Sequence, residues 1–270
     1  MGVLVMYMPY FGLKSEPFGK EVDVKELFMT ADLKEAESRL KYMTETRGIF
    51  LLIGEPGSGK TVALRRFAEM LGPSLYKACY LSLTTLTVND FFSALVSMLG
   101  ERPRFRKFDM FRQIQETIGD LYHCQKITPV IIVDEIHMAS VAILDDLRMI
   151  FNFRLDAIDP YILILAGQTH IRNKLVLNAC LPLKQRIRLK YAMQGLSENE
   201  TSQYIGHRMR CAGAVEDVFL PEAHAAIYAA SNGFPRNINN LATHCLMYAA
   251  AKSARSVDPD VVYQASQELL

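Results

Sequence analysis

The sequence lacks a net charge of either sign, since 30 Lys and Arg residues are balanced by 29 Asp and Glu residues. The overall charge gives no reason to expect a nucleic acid or an anionic membrane as partner, and either would require a local basic patch. Half of the 270 residues are hydrophobic. This content excludes a disordered chain and suffices for one large domain, or for a large and a small one.

Paired cysteines and long apolar runs are also missing. The five cysteines are widely spaced, with no C-x-x-C pair and no histidine at metal-ligand spacing, so we interpret them as buried thiols in a reducing compartment. No run reaches the roughly 18 uncharged apolar residues that span a bilayer. The apolar start, Met1–Met8, has no basic residue and no small-residue cleavage site after it. We expect a soluble, cytoplasmic protein without a membrane partner.

The chain alternates apolar runs with amphipathic stretches, as βαβ proteins do. Four runs are apolar enough to be strands covered on both faces, and helical patterns separate them. The predicted strands are 49–53, 78–82, 130–133 and 161–165, and the predicted helices are 64–71, 91–99, 110–121 and 142–154. The pattern predicts the α/β class, with a parallel sheet flanked by helices.

The pattern changes near residue 195. Ser197 and Glu200 have the spacing of a capping box, and no strand run follows them. We place a boundary here, with an α/β domain over residues 1–195 and a small all-helical domain over 196–270. The helices predicted in the second domain are about 198–211, 221–231, 236–252 and 258–269.

A phosphate-binding loop follows the first predicted strand and opens a helix. Residues 54–61 fit G-x-x-x-x-G-K-[ST] at every fixed position. The glycines let successive backbone amides face the phosphates, Lys60 would contact the β and γ phosphates, and Thr61 would ligate Mg²⁺. A glycine-rich turn that matches by chance is the alternative. The predicted ATP-binding residues are Gly54, Glu55, Pro56, Gly57, Ser58, Gly59, Lys60, Thr61 and Val62.

An acidic pair ends the third predicted strand. Asp134 is placed to hold the Mg²⁺ shell, and Glu135 to polarise the attacking water as the catalytic base. An acidic pair after a strand also often caps the next helix. Combined with the phosphate-binding loop, the pair predicts hydrolysis of ATP as well as binding.

Two further segments complete the predicted site. Gln168 and Thr169 follow the fourth predicted strand, where a polar side chain would orient the water, although an ordinary turn is the alternative. Arg236 lies in the first turn of a helix, after a Gly and a Pro, and an arginine fixed there would contact the phosphates. His137 follows the acidic pair, and we interpret it as a local hydrogen-bonding residue.

These residues resemble an AAA+ ATPase, and more closely the ExeA-type branch, which includes transposition helper ATPases related to MuB, TniB and TnsC. The resemblance covers nearly the whole chain. It implies a P-loop NTPase fold with a helical lid. The segments that carry it are 10–13, 17–18, the phosphate-binding loop, the acidic pair, 166–168, 185–187 and 233–236.

The resemblance also implies roles for single residues. Gln168 or Thr169 would be the sensor-1 residue, although Asn is common there, and Arg236 the sensor-2 arginine. Arg186 resembles an arginine finger, which completes the site of a neighbouring subunit and so implies self-association into a ring or filament. Arg188 is the other candidate finger, and surface solubility is the alternative role for both. The residues implied near the adenine are Phe11, Leu13 and Phe18.

The sequence leaves three functions open. The first is a transposition helper that assembles on double-stranded DNA with ATP and recruits a transposase. Its local support is a basic, aromatic segment whose predicted DNA-binding residues are Arg102, Arg104, Arg106 and Lys107, against the alternative of a solvated loop. The second is an ATPase of an envelope secretion system, and the third is a nucleotide-switched scaffold. The single-module length favours the helper.

Overall fold

The computed structural model describes residues 7–19, 27–83, 87–153 and 159–268. Contacts divide them into two compact units. The α/β unit comprises residues 33–55 and 59–193, and the helical unit comprises the described residues up to 32, residues 56–58, and 194–268. The start of the chain to residue 6 and the predicted helix ends at 154 and 269 lie outside the described ranges.

The α/β unit is built on a parallel sheet of five strands in the order β2-β3-β4-β1-β5. The three central strands, β3, β4 and β1, are buried along their whole length, as their continuous apolar runs predict. The strands are β1 (Gly48–Gly54), β2 (Tyr76–Ser82), β3 (Thr128–Asp134), β4 (Ile162–Gly167) and β5 (Ile187–Met193).

The sequence prediction omitted one strand, β5. Its residues alternate between half-buried apolar side chains and exposed basic ones such as Arg188 and Lys190. An edge strand with one solvated face has no continuous apolar run, which is the signal that predicted the other four.

Helices cover the sheet, and every helix predicted for this part of the chain is present. The helix α2, which the sequence did not predict, precedes β1. The core contains buried side chains of the strands together with those of α4, α5 and α6. The helices are α1 (Tyr7–Tyr10), α2 (Ala31–Thr46), α3 (Lys60–Met70), α4 (Val88–Met98), α5 (Lys107–His123), α6 (Val141–Ile150), α7 (Ile171–Leu175) and α8 (Leu181–Arg186).

The helical unit has its own hydrophobic core. The predicted capping box is present, because the Ser197 hydroxyl accepts from the Glu200 amide and the Glu200 carboxylate accepts from the Ser197 amide. The N-terminal residues Tyr7, Leu13 and Phe18 pack into this core. Its helices are α9 (Glu198–Cys211), α10 (Pro221–Ser231), α11 (Pro235–Ala251) and α12 (Pro259–Gln267).

Candidate nucleotide site

The phosphate-binding loop joins the carboxyl end of β1 to the first residue of α3. Gly57 and Gly59 adopt φ angles of 81° and 98°, a left-handed conformation that favours glycine. The Ser58 hydroxyl is buried and has no hydrogen-bond partner among the described residues, so a phosphate oxygen would satisfy it. The loop therefore has the backbone and the donor that an anion site requires.

Lys60 is buried at the start of α3, with 7% of its surface exposed. Its ammonium group donates to the carbonyl oxygens of Gly54, at 2.8 Å, and Glu55, at 3.0 Å. A buried cation is stable only where hydrogen bonds and nearby negative charge offset its desolvation. The loop carbonyls thus hold the lysine at the phosphate-binding loop.

Asp134, the last residue of β3, lies beside Thr61. The carboxylate is 3% exposed, and its Oδ2 is 3.4 Å from the Thr61 hydroxyl and 2.6 Å from the Tyr80 hydroxyl. Its Oδ1 accepts from the Glu135 amide at 2.8 Å. Burial, and then the hydrogen bond to Asp134, raises the pKa of Tyr80, so the phenol remains a donor. No local sequence signal indicates Tyr80, because its contact with Asp134 depends on the pairing of β2 with β3.

The Thr61 hydroxyl and the Asp134 carboxylate are hard oxygen donors, which suit Mg²⁺. In the described part of the chain, no group of three or more His, Cys, Asp or Glu side chains is arranged to hold a metal ion. Mg²⁺ sites that use one or two protein oxygens take their other ligands from water and substrate phosphates. The donor set fits a cation that binds together with a nucleotide.

Glu135 adopts a left-handed backbone conformation, with φ 56° and ψ 33°, which is uncommon for a residue other than glycine. Its side chain is 45% exposed, and its Oε2 is 3.2 Å from Nδ1 of His137. His137 is buried, and its Nδ1 also accepts from the Gln168 amide at 3.3 Å. Burial lowers the pKa of His137, opposed by the nearby Glu135 carboxylate, so the ring is neutral near pH 7.

The tip of β4 lies against the turn that follows β3. A Cβ placed on Gly167 would be 2.9 Å from the Ile136 side chain and 3.1 Å from the His137 amide nitrogen, so any larger residue would displace this turn. The Thr169 hydroxyl donates to the Glu55 carboxylate at 2.6 Å. The end of β4 and the residues after it therefore contact both the turn that follows the acidic pair and the phosphate-binding loop.

In the helical unit, Arg236 lies in the first turn of α11 and packs against Gly57. A Cβ placed on Gly57 would overlap the Cβ of Arg236. Phe18 is buried in the core of this unit, edge-on to Phe219 with ring centroids 6.1 Å apart, and Phe11 packs against the same core.

The two candidate arginine fingers both have partners within their own unit. Arg186 donates to the carbonyl oxygen of Phe151, the residue after α6, at 3.0 Å, and to the side chain of Asn152. Arg188 donates to the Thr46 carbonyl at 2.7 Å and lies 3.8 Å from Asp159.

The basic segment between α4 and α5 is solvent-exposed. Phe105 is 95% exposed, and the three arginines at 102, 104 and 106 are exposed and form no ion pair with the described residues. Lys107 differs, since its ammonium group pairs with Asp146 at 2.7 Å and lies over the Phe92 ring.

Known proteins share the fold and part of the sequence. Residues 43–175 match the family model described as AAA domain. General secretion pathway protein A of Aeromonas hydrophila is 28% identical over 258 residues, which cover 93% of this chain. The chain corresponds to 46% of that relative, about half its length.

Among solved structures, Cdc6p from Pyrobaculum aerophilum has a TM-score of 0.71 and 14% identity, covering 94% of this chain and 70% of that one. Drosophila ORC bound to DNA has a TM-score of 0.66 and 15% identity, and the match covers 98% of this chain and 66% of that one. The RuvB Holliday junction branch migration motor of Thermotoga maritima has a TM-score of 0.58 and 21% identity, and the match covers 96% of this chain and 73% of that one. Within the described ranges, no helix combines the length and apolar character that a membrane crossing needs.

Proposed function

Because the chain has the fold of an AAA+ P-loop NTPase, we propose that it binds ATP with Mg²⁺ and hydrolyses it. The observation that carries the proposal is the approach of Thr61 to Asp134, 3.4 Å apart. It joins the phosphate-binding loop to the strand that ends in the acidic pair. Binding and hydrolysis residues are then adjacent in one site.

Each residue of this site has a distinct part in the proposed reaction. Lys60 exchanges its carbonyl partners for phosphate oxygens. Thr61 and Asp134 would hold the cation, which when bound would neutralise developing charge on the phosphates. Glu135 takes a proton from the attacking water. Gln168 or Thr169 orients that water.

Residues outside the α/β unit are proposed to respond to the nucleotide. Arg236 is proposed to contact the phosphates, which its packing against Gly57 of the phosphate-binding loop supports. Phe11, Leu13 and Phe18 contact the adenine.

The site of one subunit is proposed to be completed by an arginine of another, either Arg186 or Arg188. Both are hydrogen-bonded to carbonyl groups of their own chain, so reaching a neighbour requires them to exchange those partners. The active unit would be a ring or helical filament.

We further propose that the assembly forms on double-stranded DNA when ATP is bound, recruits or activates a transposase, and is released by hydrolysis. The exposed arginines at 102, 104 and 106 support this, because they are available to phosphates without breaking an ion pair. Lys107 would have to leave Asp146 first and contributes less.

A second candidate is an ATPase of a secretion system, favoured by the relative from Aeromonas hydrophila. In that case the partner is a protein and hydrolysis does not depend on DNA. A nucleotide-switched scaffold would bind ATP with little turnover.

One experiment separates the three. ATP hydrolysis is measured with and without double-stranded DNA, and sedimentation of the same samples is compared with ATP, ADP and a non-hydrolysable analogue. DNA-dependent assembly that needs the triphosphate supports the helper, while hydrolysis indifferent to DNA supports the secretion ATPase. Binding without hydrolysis under every condition would contradict both.

A further inference from the structure

His137 presents one ring nitrogen to two different groups. In the structure Nδ1 accepts a hydrogen bond from the backbone N–H of Gln168 at 3.3 Å, and it also lies 3.2 Å from the Glu135 carboxylate. The first group belongs to the end of β4 and the second to the turn after β3. A single atom therefore lies between the proposed base and the proposed sensor segment.

The two contacts require opposite states of that nitrogen. A carboxylate only accepts hydrogen bonds, so holding Glu135 requires a proton on Nδ1. A backbone amide only donates, so holding Gln168 requires a lone pair on Nδ1. A neutral imidazole carries one N–H, on Nδ1 or on Nε2, and the tautomer decides which partner is bound.

The surroundings restrict the ring more than they restrict Glu135. The His137 side chain is 6% exposed, and the His170 ring packs edge-on against it, with the two ring centroids 4.7 Å apart. The Lys174 ammonium group donates to the carbonyl oxygens of His137, at 2.6 Å, and Ala139, at 2.7 Å, which fixes the backbone of this turn. Glu135, by contrast, is nearly half exposed. When the contact is lost, the carboxylate moves and the ring stays.

We propose that His137 is a positioning residue whose Nδ1–H holds the Glu135 carboxylate towards the attacking water, and that Gln168 competes for the same nitrogen. This inference rests on the proposed role of Glu135 as base. With Oε2 held by the ring, Oε1 is left to accept the proton of water. When the amide of Gln168 donates to Nδ1, as it does in the structure, the ring no longer holds the carboxylate, so the end of β4 controls whether the base is in place.

The kinetic test compares three substitutions at this position in the full chain. Asn carries its amide atoms where His carries Nδ1, whereas Gln carries them one bond further out and Leu carries none. His137→Leu and His137→Gln are expected to lower kcat about tenfold with KM for ATP changed less than about twofold, because only the base is misplaced. His137→Asn should stay within about threefold of the parent. The exposed His123→Leu is the matched control.

Glu135→Gln in the same series separates the two levels of failure. If Glu135→Gln hydrolyses ATP like the parent, the proposed function of Glu135 is wrong. If Glu135→Gln is inactive but His137→Leu is as active as the parent, only the role of His137 is wrong. A fall in activity with Asn as large as that with Leu would also overturn the inference, since it would indicate packing alone.

A second measurement does not depend on hydrolysis. Nitrogen NMR of ¹⁵N-histidine-labelled protein distinguishes a protonated Nδ1 from an unprotonated one. With a non-hydrolysable ATP analogue bound, the parent should show the Nδ1–H tautomer, and Glu135→Ala, which removes the group that needs this proton, should keep the Nε2–H tautomer, in which Nδ1 accepts from Gln168 as in the structure. Identical His137 spectra in parent and variant would contradict the competition.

Discussion

At the scale of single residues, Glu135 combines an uncommon left-handed backbone conformation with a side chain that is partly exposed and lies beside the His137 ring. We expect Glu135→Gln to reduce hydrolysis at least about 100-fold while leaving ATP binding nearly unchanged, because the amide cannot accept the proton of water. Turnover and the binding of a fluorescent ATP analogue measure the two effects. The control, Glu116→Gln, removes a carboxylate from the exposed face of α5 and should leave both unchanged.

The same variant tests release from DNA. If hydrolysis through Glu135 releases the assembly, Glu135→Gln should remain on DNA after a chase with excess unlabelled DNA, whereas Lys60→Ala should not assemble. Release of Glu135→Gln as fast as the parent would contradict that coupling.

Gly57 has both a left-handed φ angle and no room for a side chain beside Arg236. Gly57→Ala is expected to destabilise the protein by about 1–2 kcal/mol or more, from backbone strain and the displacement of α11. Urea unfolding without nucleotide measures this. Gly72→Ala is the matched control, because a Cβ there meets nothing within 4 Å and the φ angle is ordinary. Equal stability of the two variants would argue against close packing at Arg236.

At the scale of elements, the segment between α4 and α5 is the exposed basic surface on which the DNA proposal depends. Replacing Arg102, Arg104 and Arg106 by Gln removes three charges without breaking an ion pair of the described chain. If each contacts a phosphate, the slope of log affinity against log salt should fall by about 2 to 3. Fluorescence anisotropy with duplex DNA at several salt concentrations gives the slope.

The control for this loop is a triple substitution of exposed lysines elsewhere. Lys34, Lys41 and Lys252 replaced by Gln change the net charge equally and should leave the slope unchanged. A reduced slope in both variants would point to a general charge effect and not to a binding loop.

Sequence patterns predicted those elements of the fold whose structure is determined by residues close together in the sequence. The four apolar strands, the phosphate-binding loop and the Ser197 capping box each depend on neighbours in sequence, and the structure contains all of them. The strand β5 was missed because one of its faces is solvated. The contacts of Tyr80 and His137 were missed because they depend on strand pairing and on the approach of β4 to the turn after β3.

At the scale of the whole molecule, the arginine-finger proposal predicts complementation between subunits. Arg186→Ala lacks the finger and Glu135→Gln lacks the base, so each alone should be nearly inactive. Mixed in equal amounts, they should regain about a quarter of parental activity, because random neighbours then place an intact base beside an intact finger in that fraction of sites. Steady-state hydrolysis of the mixture measures this.

The control mixture combines Glu135→Gln with Lys60→Ala. Each of these subunits has a defective site of its own that no neighbour repairs, so the mixture should remain inactive. If Arg186→Ala is not complemented, the same test with Arg188→Ala decides between the two arginines. Failure of both would contradict a finger at this position.

The close approach at Gly167 also limits how this protein can be redesigned. Because a side chain at Gly167 would displace the turn that follows Glu135, the end of β4 and this turn constrain each other. A chimera whose strand end carries a side chain at position 167 would have to bring a turn shaped to receive it as well. A graft of the strand end alone is expected to be tolerated only where it keeps glycine at this position.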